Sequence, residues 1–335
     1  MPGAAPRPCG AARRRRRAQG RCARSGRRLP WLTVTIILLA VGDRRREALS
    51  VQTTDGWRLE VLRLRATDEP RGRVLLLHAM MVDRRTFDRP RGRGLASRLV
   101  SSGFDVWLAD FRGHGSSRPW AGEGGRWSYD DLVRYDLPAL ASRMREEGDE
   151  LPILVVGHSL GGHVAVAAWG TGRVQPAALV CLSTNVWLPR FEQSRVRRLA
   201  KAGSIAAFER VTRAAGYFPA RRLGIGSDDE ALDYVLDLCR FWKEDSWSAR
   251  DGENYLAGMA RIEGPVLSVV GRADRLMAEP EAAQRWVTQI PGLAFWRVGR
   301  GDSGLAFDPG HMQLVTDPRA RPLWERLARW LAAQC

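Results

Sequence analysis

Ser159 stands in Gly157-His158-Ser159-Leu160-Gly161, between the apolar run Leu151–Val156 and the small residues that follow to Trp169. A strand running straight into Gly-x-Ser-x-Gly and then into a helix places the serine on a sharp turn. Glycine is needed at 157 and 161 because a side chain at either would strike the neighbouring strand or helix. The turn lifts the hydroxyl above the sheet at the positive end of the helix and aims the Leu160 N–H where an oxyanion would form. A serine hydroxyl also needs a base. Of the five histidines, His158 and His163 belong to the turn and its helix, His78 ends a strand, and His114 sits in a glycine-rich loop. His311, in Asp308-Pro-Gly-His-Met312, follows the last strand and precedes the C-terminal helix, and is the candidate base. Asp274, in Gly271-Arg-Ala-Asp274, directly follows the strand Pro265–Val270 and is the candidate acid that orients the imidazole. Asp302 and Asp308 rival it by nearness to His311. Asn185 occupies the alternative acid position, after the strand ending near Ser183, and cannot serve. The second oxyanion donor must come from the loop after His78, and the N–H of Met80 is the candidate. These residue types in this order are suited to nucleophilic attack on an acyl carbon.

The elements that must position them form an α/β pattern. Asp55-Gly56 is a hairpin turn joining Leu49–Thr54 to the alternating stretch Trp57–Ala66. Short apolar strands are expected at Arg73–His78, Asp105–Phe111, Pro152–Val156, Ala177–Ser183, Pro265–Gly271 and Ala294–Val298. Helices are expected over 87–102, Tyr129–Glu147, Gly161–Trp169, 279–289 and 319–333. Short buried strands alternating with helices imply βαβ units and a mostly parallel sheet. The stretch 185–262 interrupts the alternation. It is rich in Trp and Arg, has helical pattern over 191–216 and 228–242, and reads as a helical cap over the site. Trp187, Trp242 and Trp247 are candidates for lining a pocket beneath it. The core then comprises 48–184 and 263–335.

The formal charge of +16 is unevenly spread. Thirteen arginines against Asp43 and Glu47 leave +11 on residues 1–47 and +5 on the remainder. Lys201 and Lys243 are the only lysines, which suggests compositional bias more than a selected phosphate-binding patch, so no nucleic-acid partner is expected. Cys9, Cys22, Cys181, Cys239 and Cys335 are scattered and odd in number, with no Cys-x-x-Cys pair. They suggest neither a disulfide framework nor a zinc site, and a reducing, cytoplasmic setting is expected. Residues 1–47 are set aside from the fold. Trp31–Gly42 is too short for an ordinary membrane span but suits a signal-peptide core, and membrane association or export through residues 1–42 is the alternative. Arg44–Arg46 directly after it oppose translocation, and a disordered extension or an upstream start fits as well.

Together, Gly157–Gly162 and the loop Asp110-Phe-Arg-Gly-His-Gly-Ser116 resemble the α/β-hydrolase superfamily over about residues 50–333, closest to its lipase, esterase and monoacylglycerol-lipase-like branch. The resemblance implies an eight-stranded sheet, a cap inserted after the sixth strand, no metal or organic cofactor, and hydrolysis of a small acyl ester. Arg112, Gly113 and Gly115 would shape their loop. Serine as nucleophile argues against the carboxylate-based dehalogenases and epoxide hydrolases, and against the cysteine-based polyester synthases. One departure stands out: the superfamily usually has His-Gly where this chain has His78-Ala79, and a methyl group there would be expected to shift the oxyanion loop. Thioester, amide or carbon–carbon bond hydrolysis and acyl transfer on the same triad remain open, as does a non-catalytic binding role.

Overall fold

A computed structural model describes residues 45–65, 69–148 and 150–335. The signal-like segment 1–42 lies outside the described residues. Among these residues no helix is long and apolar enough to cross a membrane.

Eight strands form one sheet: β1 (Arg45–Gln52), β2 (Arg58–Arg65), β3 (Arg73–Leu77), β4 (Asp105–Ala109), β5 (Ile153–His158), β6 (Ala178–Leu182), β7 (Val266–Gly271) and β8 (Ala294–Val298). Their order is β1-β2-β4-β3-β5-β6-β7-β8. β1 and β2 are the expected hairpin and join β4 antiparallel, and every later pairing is parallel. β1 begins at Arg45, three residues inside the segment that the sequence sets aside. The inner strands are buried on both faces, which is why they read as continuous apolar runs rather than alternating ones. One face, with Val74, Leu76, Val106 and Leu154, packs on the helices Leu95–Ser101 and Arg321–Ala332. The other, with Leu75, Leu77, Trp107 and Val155, packs on the helix after Ser159 and on the inserted segment.

The expected helix over 87–102 is shorter than its pattern. A 3₁₀ turn covers Arg84–Asp88, and the α-helix starts only at Leu95. Pro90 withholds a backbone donor, and a Cβ on Gly94 would meet Phe87 O at 2.6 Å. The Asp88 carboxylate instead accepts from Ser97 Oγ at 2.6 Å and Gly92 N at 3.1 Å.

The inserted segment between β6 and β7 carries two long helices, Arg195–Ala215 and Leu232–Glu244. The first begins where Ser194 Oγ accepts from Arg197 N. The second starts later than its pattern because Glu230–Ala231 pair with Tyr217–Phe218 in a small ladder. Trp242 and Trp247 are buried in the core that the segment shares with the sheet. Lys201 and Glu192, each 1% exposed, pair at 3.1 Å, and Arg197 reaches Glu279, the cap of the helix Pro280–Val287, at 3.4 Å.

Candidate active site

β5 ends at His158, and the helix α3 (Leu160–Gly170; α1 and α2 being Leu95–Ser101 and Leu137–Arg145) starts immediately after Ser159. Ser159 has φ 50° and ψ −110°, a conformation an L-residue rarely adopts. The turn is stitched to both neighbouring strands: Ser159 N donates to Leu182 O at 2.9 Å, and Gly161 N to His78 O at 3.1 Å. The glycine requirement is steric. A Cβ on Gly157 would lie 2.3 Å from Gly162 N, and one on Gly161 only 2.2 Å from Leu77 O. Both obstacles are backbone and cannot swing away. Gly161→Ala is therefore expected to destabilise the fold by about 3 kcal/mol or more, read as a lowered urea midpoint. A midpoint within experimental error of wild type would show that the elbow can widen. Leu160 is the first helical residue, so its N–H has no intrahelical acceptor.

His311 and Asp274 come together from loops after β8 and β7. His311 Nδ1 lies 2.7 Å from Asp274 Oδ2, while Asp274 Oδ1 accepts from Ala278 N at 3.0 Å. His158 Nε2 lies 3.1 Å from the His311 carbonyl, and the two rings are 5.1 Å apart, so the histidine loop is fastened to the serine turn. Ser159 Oγ and His311 are not hydrogen-bonded to each other among the described residues. Catalytic contacts of this kind commonly tighten only around a bound substrate. The rival acids are engaged locally: Asp302 accepts from Gly299 N and pairs with Arg272, each at 2.9 Å, and Asp308 accepts from Arg300 N at 2.9 Å.

Ala79 lies in the loop that follows β3. His78 Nε2 accepts from Phe111 N at 3.0 Å, so Nδ1 is the protonated nitrogen and donates to Ala79 O at 2.7 Å. Burial pushes His78 down to about 3, keeping it neutral in this role. The left-handed residue of the loop is Met81, at φ 61°, and Ala79 has no positive φ that would demand glycine. Met81 is gripped from the inserted segment. Its N–H donates to Glu230 Oε1 at 2.6 Å, and its carbonyl accepts from Ser227 N at 2.8 Å and Asp228 N at 3.1 Å.

Glu230 in turn faces His114, with His114 Nε2 3.2 Å from Glu230 Oε1 and Nδ1 2.9 Å from Arg112 O. Both ring nitrogens face acceptors, which suits the imidazolium. Burial pulls the His114 pKa down, but the Glu230 carboxylate more than reverses this and raises it to about 9. The charged pair adds stability that is complete below the ordinary value of 6.5 and is lost as pH rises towards 9. Raising the pH from 6.5 to 9 should therefore remove roughly 3 kcal/mol from wild type, and distinctly less from Glu230→Gln. Urea midpoints across that range measure the difference, and parallel curves for the two proteins would rule out a charged His114.

The neighbouring loop is shaped as its sequence suggests. Arg112 is buried against Asp136 and Asp55, each at 2.7 Å. A Cβ on Gly113 would fall on the Trp127 ring, and one on Gly115 on the Asp110 carboxylate.

Ser159 opens into an apolar pocket with about 690 Å³ of open space, mouth included. Met80 and His163 line it from the core; Trp187, Ile205, Phe208 and Phe241 line it from the inserted segment. Trp187 is fixed by its Nε1, which donates to Met277 O at 2.8 Å. Of the three tryptophans raised by the sequence, only Trp187 reaches this pocket. Sequence reasoning did not find Glu230, His163 or Asn185 as site residues. Glu230 is separated from Met81 by 149 positions, so no local spacing marks it. Asn185 signals itself only as a polar residue just after a buried strand.

Residues 68–215 match the family model described as serine aminopeptidase, S33. Human lipase member K is 31% identical over 139 residues, which is 37% of this chain and 35% of that one. Human gastric triacylglycerol lipase is 29% identical over 138 residues, with 37% and 35% covered. The chain spans little more than a third of the length of these relatives. Among solved structures, an esterase from Thermogutta terrifontis aligns at TM-score 0.57 and 20% identity, covering 86% of this chain and 99% of that one. An esterase of Pyrococcus furiosus aligns at 0.56 and 18%, covering 86% and 91%. At these identities the likeness is one of fold.

Proposed function

We propose that this chain, which matches the serine aminopeptidase, S33 model over residues 68–215 and shares the fold of solved esterases, is a serine hydrolase of the α/β-hydrolase superfamily that cleaves carboxylic esters through an acyl-enzyme on Ser159. The observation that carries this reading is the strained Ser159 turn, open to an apolar pocket and fastened to a His311–Asp274 pair. Ser159 Oγ attacks the acyl carbon and passes its proton to His311 Nε2. Asp274 holds Nδ1–H and stabilises the imidazolium. The tetrahedral oxyanion is received by the N–H groups of Leu160 and Met80. Its collapse expels the alcohol, which takes the proton from His311. Water then attacks the acyl-enzyme with His311 again as base, releasing the acid and restoring the serine. The segment 185–262 is the cap, and its apolar wall takes the carbon chain of a small acyl substrate. No metal or organic cofactor enters any step.

The family description also suggests peptide substrates with a free amino terminus. The pocket argues for esters, because among the described residues lining it there is no carboxylate. An ammonium group would be desolvated there without a partner.

The test is a fluorophosphonate probe read by intact mass on wild type and Ser159→Ala. A single adduct on wild type alone supports an activated Ser159. An unlabelled wild type that is nonetheless folded would overturn the reading and favour a binding role.

A further inference from the structure

The N–H of Met80 is left free between two peptide groups that are both held. On one side, His78 Nδ1 donates to Ala79 O at 2.7 Å. The Ala79–Met80 peptide is trans, so its N–H lies opposite that carbonyl and points away from His78. Met80 borders the pocket beside Ser159, and its N–H enters no hydrogen bond among the described residues. On the other side, Met81 N donates to Glu230 Oε1 at 2.6 Å, and Met81 O accepts from Ser227 N and Asp228 N. Only the two backbone torsions of Met80 separate these peptides, so fixing the second limits where the first can turn.

A carboxylate is a costly choice for this hold. Glu230 has no exposed surface, and its Oε2 has no hydrogen-bond partner among the described residues. Burying such a charge is unfavourable unless it is paired, and a backbone carbonyl would have received the Met81 N–H without that penalty. The carboxylate adds a short, charge-assisted bond. His114, whose Nε2 faces the same Oε1 at 3.2 Å, is the cation that keeps it ionised. We propose that Glu230 is a positioning residue for acyl transfer: paired with His114, its carboxylate holds the Met81 peptide so that the Met80 N–H stays aimed at the oxyanion. This rests on the reading of Ser159 as nucleophile and Met80 as donor. Charge develops on the acyl oxygen only along the reaction, so the contribution belongs to kcat and kcat/KM together, with KM unmoved.

The test compares Glu230→Ala, Glu230→Gln and Glu253→Gln with wild type on p-nitrophenyl butyrate near neutral pH. Glu253 also ties the inserted segment to the core, through Arg134 at 3.2 Å and Arg173 at 2.8 Å, but it does not bond Met81. Each kcat is divided by the fraction of protein that a fluorophosphonate labels at completion, which removes unfolded molecules from the comparison. Glu230→Ala should lose about 10- to 100-fold in kcat, with KM within about twofold of wild type. Glu230→Gln keeps an oxygen for Met81 without the charge, and should lose only about 3- to 10-fold. Glu253→Gln should stay within about twofold of wild type in kcat. Unchanged kcat in both Glu230 variants, a loss confined to KM, or an equal loss in Glu253→Gln overturns the proposal while the reading of Ser159 stands. Where Glu230→Ala does not fold, Glu230→Gln decides alone, and a kcat within about twofold of wild type overturns the proposal. Should wild type leave this ester intact, the maximal rate and half-saturating concentration of fluorophosphonate labelling take the place of kcat and KM, because the phosphonyl oxygen also gains charge as the serine adds. A folded wild type that takes no label overturns the reading of Ser159, and this inference with it.

Discussion

Ser159→Ala is expected to lower kcat for p-nitrophenyl butyrate by about 10⁴- to 10⁶-fold, since removing a triad nucleophile leaves only what binding and the oxyanion donors supply. The loss should come without unfolding. The strain at φ 50° lies in the backbone, and alanine must adopt it as serine does. Ser159→Gly separates the two effects. Glycine takes that conformation freely, so this variant should be equally inactive yet more stable by about 1 kcal/mol. Paired measurements of kcat and urea midpoint test both statements. Turnover above one-hundredth of wild type in purified Ser159→Ala would move the nucleophile elsewhere.

Asp274→Asn should cost about 10⁴-fold in kcat near neutral pH, as expected where an acid fixes the tautomer of its histidine. Asp274 accepts a hydrogen bond from His311 Nδ1–H at 2.7 Å. An amide that turns its NH₂ to Nδ1 forces the ring proton onto Nε2, the nitrogen that must accept from Ser159. Asp302→Asn and Asp308→Asn should each cost less than about tenfold, because neither carboxylate bonds His311: both accept from backbone in their own loop, and Asp302 also pairs with the exposed Arg272, contacts that contribute modestly. Equal losses in all three variants, or a larger loss at Asp308, would reassign the acid.

Much of this arrangement was legible because its determinants are local. The serine turn needs only an apolar strand, two glycines and a small-residue helix, all within Leu151–Trp169. Asp274 could be placed because it directly follows a strand, and His311 because it lies in the loop between the last strand and the C-terminal helix; strand ends deliver such loops to one edge of a parallel sheet. What escaped depends on contacts between distant parts of the chain. Ala79 reads from the sequence as a departure because a glycine is usual there, and no short-range pattern shows how the loop after it is held. The folded loop instead puts its left-handed turn at Met81 and anchors that residue to Glu230. The helix over 87–102 read too long because its apolar spacing outweighed Pro90 and Gly94, whose neighbours allow helix only from Leu95. Asn185 was weighed only as an acid and set aside. Its place in the pocket depends on how residues 185–262 fold back over Ser159, which no short-range pattern encodes.

If the proposed function holds, the bonds from Ser227, Asp228 and Glu230 to both polar groups of Met81 would tie readiness for chemistry to the seating of the inserted segment. Lifting that part of the segment to admit or release a molecule would break them and free the loop that carries Met80. An open enzyme would then also be a disarmed one, with no separate signal required. Turnover would become a measure of how long each occupant keeps the segment down: a compound that fits poorly would leave before the loop is set, and one that fits well would set the loop as it settles. Discrimination between substrates would therefore appear in kcat as strongly as in KM, and a tether joining cap to core would slow exchange while leaving the acylation step intact.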